Sequence, residues 1–220
     1  MLRRGLPILG ALVGIVGLAI NFSIIVGSLG TASATNPHPR SLVDSLIYFW
    51  SFYTHLNNLW LVLIYVGLIT GWRPLQWLLR PVPLAAAASN ITLVMLFFHF
   101  MLAPNYTFTG GLLIANNLMH YVAPLLYLIW WLRFAPHGTL RLLDVPLMLV
   151  PGLAYVAYTL GRGVFIHEYP YAILDVNVGG YGRVAIGVLV LVGLVAVFSA
   201  ILVGVDRLLA RPRRPVVSVE

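Results

Sequence analysis

Two stretches of this 220-residue chain bring a hydroxyl, an imidazole and four side-chain amides to helical spacing. Thr54, Asn57 and Asn58 stand at i, i+3 and i+4, and Asn116, Asn117 and His120 at i, i+1 and i+4. On helices, each set gathers its polar groups toward one side. A hydroxyl alone is a poor nucleophile and needs a base to take its proton as it attacks a carbonyl. His120 is the best-placed base. The pair could open an ester to form an acyl-enzyme and then activate water to hydrolyse it. Asn57, Asn58, Asn116 or Asn117 could orient the imidazole or donate to the oxyanion. No carboxylate lies at the same level, so these residues permit a dyad and not a triad. A structural reading competes, because a helical threonine commonly bonds its own i−4 carbonyl and asparagine commonly bridges helices.

The elements that must position these groups follow from composition. The chain is 60% hydrophobic and 9% charged, with a mean hydropathy of +0.94, against roughly 25% charged residues in an ordinary soluble domain. Six apolar stretches, 7–29, 45–70, 82–102, 112–134, 145–166 and 183–205, match the roughly 20 residues needed to cross a bilayer core. The expected fold is an all-α integral membrane protein, a single six-transmembrane helix bundle followed by a basic tail, 206–220. Pro74 stops the second span, and Pro151 should kink the fifth. Ala32-Ser33-Ala34 offers a rival reading of the first span as a cleaved signal peptide, although its apolar run exceeds the usual 7 to 15 residues. With zero cysteines, disulfides, thiolate metal sites and a cysteine nucleophile are excluded.

The net charge of +7 comes from thirteen arginines and no lysine. Arg3, Arg4, Arg73, Arg80, Arg133, Arg141, Arg207, Arg211, Arg213 and Arg214 fall on one side of the expected spans; Arg40, Arg162 and Arg183 fall on the other. This asymmetry is explained by insertion and not by nucleic acid, and it places both termini in the cytoplasm. Thr54 and His120 then lie nine and eight residues below the outer boundary, roughly 12 to 14 Å at 1.5 Å per residue. The expected setting is the plasma membrane, with the site in the outer half of the bilayer.

Asn90, His99, Tyr158 and Arg162 also fall in the outer half or near the middle, whereas the inner halves of the first five spans are mostly apolar. The sixth span is nearly featureless, with a sealing role. A pocket open from one side suits an enzyme or a receptor better than a channel, which must line the whole thickness. Arg162, between two glycines, could clamp a free carboxylate or simply snorkel. His55 and His99 read as solvated. Two other functions compete: a haem protein using span histidines such as His99 and His120, and a lipid receptor without turnover. No resident metal or cofactor is expected, and the partners are a lipid ester and membrane lipids; nothing bears on oligomeric state.

Phe52-Tyr53-Thr54-His55-Leu56-Asn57-Asn58-Leu59 resembles a motif of the androgen-induced and androgen-dependent TFPI-regulating protein family and its bacterial six-span relatives. His120-Tyr121-Val122-Ala123-Pro124-Leu125 is similar to that family's span-four histidine motif, and Gly161-Arg162-Gly163 to its Arg-Gly element. Tyr169-Pro170-Tyr171 with Leu174-Asp175 is similar to its outer-loop signature. The four motifs occur in the family's order. The sequence departs from the pattern at Ile129, where relatives often carry aspartate, and at His55, where an apolar residue is expected. The resemblance implies a multi-pass threonine hydrolase of lipid metabolism, an esterase that cleaves fatty acid esters of hydroxy fatty acids. Thr54 would be its nucleophile and His120 its base, with Arg162, Tyr158, Tyr169, Tyr171, Asp175 and Asn90 as candidates for substrate binding.

Overall fold

The computed structural model describes residues 2–30 and 39–210. The Ala32-Ser33-Ala34 reading and the tail beyond residue 210 lie outside the described residues, among which regular structure is entirely helical. Helix α1 is Leu2–Gly27, α2 Leu42–Trp50, α3 Tyr53–Thr70, α4 Pro81–Phe97, α5 Gly110–Asn117, α6 Ala123–Phe134, α7 Val145–Ile166 and α8 Val176–Leu208. Five helical segments are long and apolar enough to cross a membrane, and six if the bent pair α2 and α3 counts as one. This is the architecture of a multi-pass membrane protein.

Local chemistry sets most helix ends. Ser41 and Asp44 form a reciprocal capping box that starts α2. Gly71, at φ 67°, caps α3 in a left-handed conformation that residues with a Cβ resist. Pro81, with no N–H to leave unpaired, opens α4. Helix α4 is the centre of the bundle: Ala85, Ala86, Ala87 and Ala88 are all buried, and their small side chains let neighbouring helices close on it. Helix α1 presses Gly10, Gly14 and Gly17 against Tyr65, Val62 and Met119. One helix runs through Pro151, as membrane helices allow when neighbours take up freed backbone groups. Asp206, buried near the end of α8, accepts the amides of Thr139 and Leu140 at 3.0 and 2.9 Å and ties the loop before α7 to α8.

The main departure from the sequence expectation is the second span. Instead of one helix over 45–70, α2 and α3 meet at 75° around Ser51 and Phe52, with Phe52 extended at φ −83°, ψ 127°. Neither residue is a glycine or proline. The bend survives because the carbonyls that it frees find donors elsewhere. His55 Nδ1 donates to the Phe49 carbonyl (2.6 Å) and the Tyr155 hydroxyl to the Ser51 carbonyl (2.8 Å), while the Tyr48 carbonyl keeps the Ser51 amide (3.0 Å) and gains the Ser51 hydroxyl (2.7 Å). His55 is therefore buried and stacked on Phe49, not solvated as its sequence position implied. The bend also turns α2 aside, so Thr54 sits in the first turn of α3 and not nine residues into one continuous helix.

Candidate active site

The bend and a widened turn bring the hydroxyl and the imidazole together. His120 lies in a π-turn, Leu118–Val122, between α5 and α6. Pro124, four residues later, has no N–H to give the His120 carbonyl, so the regular ladder is broken there. Thr54 Oγ1 and His120 Nε2 are 3.2 Å apart, both residues buried. His120 Nδ1 is 3.1 Å from the Asn116 carbonyl. A carbonyl can only accept, so Nδ1 carries the proton and Nε2 offers its lone pair to the Thr54 hydroxyl. Phe98 stacks on the imidazole with ring centroids 3.7 Å apart and planes at 13°, holding it in that orientation.

Thr54 and His120 line a cavity of about 70 Å³. Its remaining wall is mainly apolar: Leu93, Val94, Phe97 and Phe98 from α4 and its extension, Leu149 and Val156 from α7, and Leu191, Val192 and Val195 from α8. Tyr53, Tyr155 and Tyr171 complete the lining. The sixth span thus closes the site with aliphatic side chains, in keeping with its featureless sequence.

The four asparagines are not on the cavity wall. Asn58 is fully buried, and its side-chain amide donates to the Thr54 carbonyl at 2.9 Å and the Met119 carbonyl at 3.2 Å. It staples the helix bearing Thr54 to the turn bearing His120. Asn57 donates back to the Tyr53 carbonyl at 2.9 Å. Asn116 orients the imidazole, but through its main-chain carbonyl, and Asn117 is exposed.

The expected substrate-binding residues divide similarly. Only Tyr171 reaches the cavity. Asn90 donates to the Ala86 and Met148 carbonyls and accepts from the Tyr53 hydroxyl, fixing that tyrosine from behind. Asp175 caps α8 by accepting the Asn177 amide at 2.8 Å. Tyr169 packs on Gly163 where a Cβ would stand inside its ring, which accounts for that glycine. Tyr158 is 42% exposed and points away. Arg162 is off the cavity: it pairs with the Glu168 carboxylate at 2.6 Å, and Arg40 binds the same carboxylate. His99 is exposed and bonds the Tyr121 hydroxyl at 3.1 Å, while both His120 ring nitrogens have partners of their own.

Sequence reasoning missed Tyr155, Tyr53 and Phe98. Tyr155 and Tyr158 lie three residues apart on α7, and only packing distinguishes the inward tyrosine, 8% exposed, from the outward one. Phe98 carries no chemical signal. No family model, no curated protein and no solved structure matches the chain.

Proposed function

We propose that this protein is a membrane hydrolase in which Thr54 attacks a lipid ester and His120 acts as general base. One observation carries the reading: an imidazole whose Nε2 lies 3.2 Å from a hydroxyl while its Nδ1 faces a carbonyl, at the wall of an apolar cavity. Such a pair has the geometry of an activated nucleophile and its base. The resemblance to membrane threonine hydrolases picks out the same two residues. An ester of a hydroxy fatty acid suits a site whose walls are aliphatic.

The cavity of about 70 Å³ accommodates an ester group and a few carbons, much less than the roughly 300 to 1,000 Å³ of drug-sized pockets. The chains of a lipid must therefore part the surrounding helices. The α8 wall, Leu191, Val192 and Val195, offers the route, because separating aliphatic side chains breaks no hydrogen bond and membrane lipid can replace the lost contacts. In this reading both termini are cytoplasmic, the site opens in the outer half of the plasma membrane, and α2 lies near the outer surface.

The test is covalent labelling of the purified full-length protein with an alkyl fluorophosphonate. Labelling should map to Thr54, disappear in Thr54→Ala and His120→Ala, and persist in His99→Ala. Labelling that survives Thr54→Ala unchanged would refute the assignment. Binding of lipid esters with neither labelling nor turnover would favour a receptor, and a Soret band after haem supplementation a haem protein.

A further inference from the structure

We propose that Tyr171 supplies the oxyanion donor: its phenolic O–H bonds the ester oxygen that becomes negative when Thr54 attacks. The inference rests on the hydrolase reading and identifies a catalytic residue that reading lacks.

Every other side-chain donor on the cavity wall is committed. The Tyr53 hydroxyl goes to Asn90 Oδ1 and the Tyr155 hydroxyl to the Ser51 carbonyl. The His120 Nδ1–H goes to the Asn116 carbonyl, and the Thr54 hydroxyl to His120 Nε2. The asparagine amides serve carbonyls elsewhere or stand off the cavity. Tyr171 is left, and it lines the cavity together with Tyr53 and Thr54. Those two residues are the open start of α3. The helix ladder begins with the amides of His55 and Leu56, both to the Phe52 carbonyl, so the Tyr53 and Thr54 amides lie outside it. The positive end of an 18-residue helix at this side of the cavity favours negative charge developing beside Thr54. The ring is held edge-on by Phe52 and Phe97 at 5.9 and 6.4 Å. Burial pushes the Tyr171 pKa above its ordinary value, so the proton stays on the oxygen at neutral pH.

The step balances as follows. Thr54 Oγ1 bonds to the ester carbonyl carbon as its proton passes to His120 Nε2, and the carbonyl pair moves onto oxygen, which accepts the Tyr171 hydrogen bond. Collapse breaks the carbon–alkoxide bond, and the departing alkoxide takes the proton from His120. Water repeats the sequence on the acyl-threonine, releasing the fatty acid and restoring the Thr54 hydroxyl.

The experiment compares full-length wild type with Tyr171→Phe for three readouts: alkyl fluorophosphonate labelling rate at Thr54, affinity for an alkyl trifluoromethyl ketone, and affinity for a fatty alcohol of equal length. The ketone adds Thr54 to give a hemiketal oxyanion; the alcohol forms none. Labelling should slow by about 10²- to 10³-fold, the range for loss of one oxyanion donor. Ketone affinity should fall by a similar factor while alcohol affinity holds. Wild-type rates in Tyr171→Phe would overturn the inference, as would ketone and alcohol affinities falling together, the result of a packing defect. Both affinities are read on the folded fraction of one sample, so partial unfolding does not alter their ratio. A wild-type protein that does not label at Thr54 fails at the hydrolase reading and takes this inference with it; a defect absent only in Tyr171→Phe fails the inference alone.

Discussion

Asn58 reaches across from α3 to the Met119 carbonyl at 3.2 Å while also holding the Thr54 carbonyl at 2.9 Å. One buried amide thereby fixes the main chain on either side of the proposed nucleophile and base, since Met119 adjoins His120. The pair's spacing depends on this staple as well as on the two reactive side chains.

Asn58→Leu should therefore lower kcat more than stability alone predicts. Polar contacts between membrane helices contribute on average about 0.6 kcal/mol, with a maximum near 1.7, which would leave most of the protein folded. Labelling of Thr54 should nevertheless fall by about tenfold or more, because misplacing reacting groups by about 1 Å costs up to 10²-fold. Thermal unfolding in detergent beside labelling kinetics separates the two effects; equal losses would make Asn58 merely structural.

His55 and His99 should behave oppositely. His55→Ala removes the donor to the Phe49 carbonyl and a stacked ring, leaving a buried carbonyl unpaired at a cost of about 1–3 kcal/mol. The bend between α2 and α3 should loosen, and with it Thr54, the residue before His55. His99→Ala, at an exposed position, should leave thermal stability and labelling near wild type.

Two neighbouring glycines give a matched comparison. A Cβ at Gly163 would enter the Tyr169 ring, whereas one at Gly161 meets nothing within 4 Å. Gly163→Ala should displace the connector that carries Tyr171 and cut labelling by about tenfold, if one strained contact amounts to about 1.4 kcal/mol at the site. Gly161→Ala should be neutral. Labelling rates for the pair decide it.

Arg162 pairs with Glu168 and does not line the cavity. Arg162→Ala should accordingly leave the ratio of activities on free-acid and methyl-capped esters unchanged, while loosening the outer connector to limited proteolysis. A selective loss on the free acid would restore the carboxylate-clamp reading.

Hydropathy, proline and glycine punctuation and arginine asymmetry made the helical membrane class legible, because water and lipid act on each segment locally. Spacing also picked out Thr54 and His120, which meet at 3.2 Å, since titratable groups are costly in lipid and so conspicuous there. The bend at Ser51 and Phe52 was not legible: its support comes from His55 and, 104 positions away in sequence, Tyr155, and no turn residue marks it. The same holds for the roles within the site. Asn57, Asn58, Asn116 and Asn117 look alike on a helix, and only packing decides that one staples the main chain and another faces outward. Tyr171 joins the cavity for the same reason, because a connector folds over the open start of α3. Local patterning determined which segments enter the membrane, and long-range hydrogen bonding between them decided which polar groups face one another.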